Sequence, residues 1–166
     1  MKKVMYHLND YIVNAENKIC RIIGTRLDDS KDPDFPQQFI TTLWVEGNGI
    51  KHIEEVNSTS VSWLEPTKAM LTKLGFHDRE GLGTMVYRDL VTNRSLVIDR
   101  TDYSMYGYCS KRHIVLDYMV VEGVHDIQHA FDTMGIDFPC LDHVFFFDNM
   151  KRKPPIRLHN STKNEP

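Results

Sequence analysis

Short β-forming runs cut by tight polar turns limit this chain's folds more than any other feature. Tyr11-Ile12-Val13, the turn Asn14-Ala15-Glu16-Asn17, and Lys18-Ile19-Cys20-Arg21-Ile22-Ile23 ending at Gly24 have the spacing of a β-hairpin. Two prolines and most of the local acidity fall between Asp28 and Pro36, which excludes a central strand or helix interior and predicts an exposed loop. Phe39 to Val45 is rich in β-formers and is closed by Gly47-Asn48-Gly49, and Ile50 to Val56 predicts one more strand. Four short strands with tight turns predict a small antiparallel sheet or an SH3-like barrel over residues 1–57.

The pattern changes after the linker Asn57-Ser58-Thr59-Ser60. Thr67 is a good N-cap for Lys68 to Leu74, with Met70, Leu71 and Leu74 on one face and Gly75 placed to end the helix. Phe76 re-enters the core. Strand-like runs follow at Thr84–Leu90, Ser95–Asp99 and Arg112–Met119, the first two joined by the hairpin Val91-Thr92-Asn93-Arg94. Val124, Ile127, Phe131 and Met134 recur at helical spacing and predict a helix from Gly123 to Met134, stopped by Gly135. The expectation is an α+β fold: a small β-domain, then an α-β-β-β-α unit over 61–150 extended by a strand at Val144-Phe145-Phe146-Phe147, then a polar tail over 151–166.

Composition narrows the class. With 41% hydrophobic and 10% aromatic residues the chain has material for a core, which argues against disorder. No apolar run approaches the ~20 residues of a membrane span, and Met1 to Asp10 lacks an apolar signal-peptide centre. A formal charge of −3 excludes a generally basic, nucleic-acid-coating protein. Three widely spaced cysteines, Cys20, Cys109 and Cys140, argue for a reducing cytoplasm over a secreted disulfide framework.

The order Leu8-Asn9-Asp10-Tyr11-Ile12-Val13, Lys18-Ile19, Thr67-x3-Leu71-x2-Leu74-Gly75-Phe76, Val124-His125-x2-Gln128 and Gly135 resembles a family of small uncharacterised proteins encoded by phages and mobile elements of gut bacteria. Members open on "L-R-I-G-N-Y-V", carry "L-T-x-E-x-L-x-K-x-G-F" and close on "V-H-x-L-Q-N-L-Y-x-x-x-T-G". The resemblance spans residues 6–136 discontinuously. Asn9 or Asp10 stands in place of the opening Gly, Ile127 in place of Leu and His129 in place of Asn, and residues 137–166 are additional. It implies architecture and a phage origin, hence a host cytoplasm, and no reaction.

Two constellations could carry chemistry. His125 and His129 lie four apart on one helical face, and Cys140 and His143 follow as a C-x-x-H pair, together a candidate zinc site. The competing account is a pair of hydrogen-bonded histidines beside the apolar stripe. A metalloprotease is a weaker reading, because Asp126 is one methylene shorter than the Glu such a base requires. The second constellation is the stretch from Tyr103 to His113. Tyr103, Tyr106 and Tyr108 are interleaved with Lys111, Arg112 and His113, and could stack a purine and neutralise phosphate. Its competing account is a wide connection whose tyrosines cover the edge of the core.

The remaining motifs have simpler explanations. Gly81-Leu82-Gly83-Thr84 leads into a strand and is a turn, not a phosphate loop. Lys151-Arg152-Lys153 and the aspartates from Asp28 to Asp34 read as solvated charge. No catalytic residues stand out. Three readings stay open: a non-catalytic interaction protein acting on a host protein or defence component, a binder of nucleotides or other small molecules, and a zinc-dependent enzyme or zinc-stabilised domain. Nucleic acid and membrane are not expected as partners, and short strands with uncovered edges would allow a homodimer.

Overall fold

The computed structural model describes residues 6–28, 37–46, 48–79, 82–110, 113–139 and 142. Most of the acidic proline loop, Gly81, Lys111, Arg112, Cys140, His143, Val144 to Phe147 and the tail lie outside the described residues. Among those described, strands dominate, in two five-stranded antiparallel sheets accompanied by two short α-helices. No helix there is long and apolar enough to cross a membrane.

The first sheet contains β1 (Tyr11–Val13), β2 (Ile19–Asp28), β3 (Gln37–Val45), β4 (Lys51–Asn57) and β5 (Ser62–Trp63), in the order β4-β3-β2-β1-β5. The first hairpin forms where its spacing predicts, with Ile12 opposite Cys20. Its turn is held by Asn14, whose Oδ1 accepts the N–H groups of Glu16 and Lys18 at 3.1 and 2.9 Å. Gly24 does not end β2 as expected. It sits at a bulge, where a Cβ would come within 3.0 Å of Thr41 Oγ1, so glycine lets the strand bend and continue to Asp28. After β4 a 3-10 turn (Ser58–Ser60), capped by Asn57, returns the chain so that Trp63 pairs with Ile12.

The second sheet is a meander of β6 (His77–Arg79), β7 (Thr84–Asp89), β8 (Arg94–Asp99), β9 (Ser104–Cys109) and β10 (Ile114–Val120), in the order β10-β9-β8-β7-β6. Helix α1 (Lys68–Lys73) precedes it, with Thr67 Oγ1 accepting the Met70 N–H and Gly75 at φ +89° ending it. Helix α2 (Val124–Thr133) follows it. Five strands therefore separate the helices where the sequence predicts three. β6 is a three-residue edge, too short to show a period. β9 falls in the tyrosine stretch expected to be a connection, because the inward position between Tyr106 and Tyr108 is Gly107. That residue is small because a Cβ there would come within 2.5 Å of Met134 Sδ at the end of α2.

One core joins the two sheets. Tyr11, Val13 and Ile19 of the first sheet pack in the same cluster as Leu71 and Leu74, as Met85, Leu96, Ile98 and Met105 of the second sheet, and as Ile127 and Phe131 of α2. The opposite face of the first sheet carries a second cluster of Tyr6, Ile12, Cys20, Ile22, Ile40 and Trp44. The first sheet is thus apolar on both faces, and the second places its helices on one face only.

Candidate functional site on the outer face of the second sheet

Successive residues of a strand point to opposite faces. Met85, Leu96, Ile98 and Met105 face the helices, so Val86, Arg88, Ser95, Val97, Tyr106 and Tyr108 face away from them. Pairing arranges the outward residues in rows across the sheet. His77 lies opposite Val86, Val86 opposite Val97, and Val97 opposite Tyr106. In the adjacent row Arg88 lies opposite Ser95, and Ser95 opposite Tyr108. Tyr118 of β10 adds a third ring, 4.7 Å from that of Tyr106, whose ring is 6.3 Å from that of Tyr108.

Between these rows runs an open groove of about 550 Å³, lined by His77, Arg79, Val86, Arg88 and Tyr108 among others. That is within the usual size range of small-ligand sites. Its charge balance is positive. Asp78, the acid at its rim, is engaged by Lys68, whereas Arg79 and Arg88 have no ion-pair partner among the described residues. Burial, followed by the neighbouring phenols of Tyr118 and Tyr108, raises the pKa of Tyr106, and nearby Arg79 offsets only part of this. Tyr106 therefore stays a neutral phenol at physiological pH, able to donate or accept a hydrogen bond.

The structure gathers part of the expected tyrosine and basic stretch. Tyr106 and Tyr108 stand on the outer face. Tyr103 precedes β9 with φ +55°, is exposed, and does not line the groove. His113 is an exposed residue just before β10 whose carbonyl accepts the Cys109 N–H. Lys111 and Arg112 lie outside the described residues, and among those described positive charge comes from Arg79 and Arg88, far from the tyrosines in sequence and brought to them by strand pairing. The one sequence signal for them is period-two alternation, with His77 and Arg79 in phase on β6, and Val86 and Arg88 in phase on β7.

The two histidines of α2 do not converge on one point. Their rings lie 5.9 Å apart and almost perpendicular. His125 is buried, stacked on Trp63 at 3.5 Å, with Nε2 3.1 Å from Asp126 Oδ1. Gly123 admits it, since a Cβ there would come within 2.7 Å of its Nδ1. His129 instead points Nε2 to the buried Asp10, 3.0 Å from Oδ1. The Asp10 hydrogen bond is the main cause of its raised pKa. Burial opposes the shift, and the charges of Asp10, Asp126 and Asp132 reinforce it. Their expected partners Cys140 and His143 lie outside the described residues.

The chain matches no protein-family model, no curated protein and no solved structure.

Proposed function

We propose that this protein is a non-catalytic binding module that takes a small, planar, anionic ligand of the nucleotide class on the outer face of its second sheet. One observation carries the reading: Arg79 and Arg88, without an ion-pair partner among the described residues, share a groove of about 550 Å³ with Tyr108, beside Tyr106 and Tyr118. Tyrosine faces stack a base, and guanidinium groups bind phosphate bidentately. Taken with the sequence resemblance, such a module acts in a host cytoplasm by sequestering a nucleotide on which a defence component depends.

The test is a thermal-shift and calorimetric screen of nucleotides against the full chain. A ligand at 100 times its Kd stabilises by about 2.7 kcal/mol. Arg88→Ala is expected to weaken the ligand that emerges by roughly 10- to 100-fold, the loss of one charge-assisted bond. Failure of every nucleotide to stabilise the chain, or an affinity indifferent to both Arg88→Ala and Tyr108→Ala, refutes the reading.

A second reading, direct contact with a host protein, draws on β10. Among the described residues this strand is the edge of its sheet, and it exposes Ile114, Tyr118 and Val120 at 60, 63 and 65%. Exposed apolar edges invite strand addition by another chain. Under that reading Val120→Lys abolishes partner binding and leaves nucleotide affinity unchanged.

A further inference from the structure

His129 has a second neighbour that the sequence does not announce. His7 lies across from it, with ring centroids 4.9 Å apart, and the buried Asp10 sits between the two. The carboxylate offers a different oxygen to each ring: Oδ1 is 3.0 Å from His129 Nε2, and Oδ2 is 3.8 Å from His7 Nδ1. All three donor atoms lie within 4.8 Å of one another. We propose that His7, Asp10 and His129 form a binding site for a divalent transition-metal ion of the zinc type, with its remaining coordination positions open to solvent.

The donor set selects the class of ion. Two imidazoles and one carboxylate suit zinc and its first-row neighbours, and do not suit calcium or magnesium, which take oxygen ligands. Bonds of about 2.0–2.1 Å to a tetrahedral ion place donor atoms roughly 3.3 Å apart, inside the span observed here. The side chain of His7 is 57% exposed and can swing to close the wider gap, whereas that of Asp10 is only 2% exposed and supplies the fixed point. The side chain of His129 is 42% exposed, so water can reach the ion from the side shared with His7.

The surroundings hold Asp10 in this orientation. Asn9 adopts φ +70°, a left-handed conformation that turns the chain just before it. The Gln128 side chain grips both flanking residues, donating to the Asn9 carbonyl at 2.8 Å and accepting from the Tyr11 N–H at 3.1 Å. The His7 N–H donates to Asp10 Oδ2 at 2.9 Å. Supporting hydrogen bonds of this kind orient metal ligands and commonly set their affinity. An ion bound here replaces the proton shared between His129 Nε2 and Asp10 Oδ1. It also clips the N-terminal segment to α2, across a sequence separation of 119 residues.

The test uses untagged, chelator-stripped full-length protein titrated with Zn2+ by calorimetry, and with Co2+ followed by absorption. About one ion per chain is expected, with no thiolate charge-transfer band in the Co2+ spectrum. His7→Ala changes an exposed side chain and keeps the fold, as circular dichroism can verify. That variant and His129→Ala should each weaken Zn2+ by at least ~10-fold. Cys140→Ser and His143→Ala should leave it unchanged. No binding by the wild-type chain at 1 mM (roughly the weakest affinity worth calling a site) overturns the proposal. So does binding that survives both His7→Ala and His129→Ala, or binding abolished by Cys140→Ser.

Discussion

Phe131→Ala tests whether the two sheets unfold as one unit. Phe131 is fully buried at the centre of the shared core. Its ring lies 4.6 Å from that of Tyr87, 5.3 Å from Phe138 and 6.2 Å from Phe76, so it ties α2 to the second sheet. Truncation removes the transfer free energy of a benzyl group and leaves a cavity, about 3–5 kcal/mol together. The surrounding rings are too large to collapse into that space, so the expected loss is about 4 kcal/mol, within this range. With a urea m-value of about 2 kcal/mol/M, the midpoint falls by about 2 M. The assay is tryptophan fluorescence in a Trp63→Phe background, leaving Trp44 as the reporter. Trp44 belongs to the second cluster, on the far face of the first sheet from Phe131. If Tyr11, Val13 and Ile19 bind the first sheet into the common core, the Trp44 transition moves by the same 2 M, an inference from one cooperative unit. A Trp44 midpoint displaced by less than about 0.3 M would show that the halves unfold independently, and would refute the shared core.

Three further outcomes follow from the packing and the ionisable groups. Gly107→Ala should destabilise by about 1–3 kcal/mol, the usual cost of overpacking, and because Met134 Sδ occupies the space a Cβ needs while Met134 is itself fully buried, the double variant with Met134→Ala should lose less than the sum of the two single losses; urea midpoints of the single and double variants decide this. Burial by itself would raise the Asp126 pKa, but the His125 ring and the N–H groups of Glu122 and Gly123 together lower it. A lowered folded pKa means the stabilisation is complete above the ordinary value of 3.8 and fades as pH falls through the folded one, so Asp126→Ala should cost about 1 kcal/mol at pH 7, a typical cap loss, and progressively less in acid. His129 has the opposite sign, being raised above 6.5: in metal-free protein its contribution is complete below that pH and is lost as pH rises through the folded pKa. Melting temperatures of wild type and His129→Gln should therefore lie further apart at pH 6 than at pH 9, and a constant gap refutes the Asp10 pairing.

Local signals in this sequence carried local structure well. Thr67 and Gly75 bound α1, Gly135 ends α2, and the turn around Asn14 sets the first hairpin, because caps and turns are decided by residues a few positions apart. What could not be read was whatever depends on partners distant in the chain. Gly24 looks like a terminator until Thr41 is seen beside it, and Gly107 looks like a loop residue until Met134 is. His125 and His129 share a helical face, yet Trp63 claims one ring and Asp10 the other. Helical spacing alone cannot distinguish convergence on an ion from divergence toward two separate neighbours.

The two sheets also differ in what their surfaces leave open for binding. In the first sheet, the successive residues Ile12 and Val13 of β1 are both buried, one in each cluster, so both faces of that strand are consumed by packing. In the second, α1 and α2 cover one face, and an antiparallel sheet in that position ordinarily turns polar residues outward. Here the outward rows hold Val86, Tyr106, Tyr108 and Tyr118 between arginines, all of them partly buried or exposed, whereas Val97, between Val86 and Tyr106, is already buried. Apolar and aromatic area kept on an open face gains nothing for folding beyond what the inner face already supplies. Its free energy becomes available only when something else covers it. The groove of Arg79 and Arg88 lies on that face, where a bound ring would cover tyrosine surface and its phosphates would meet the two guanidinium groups.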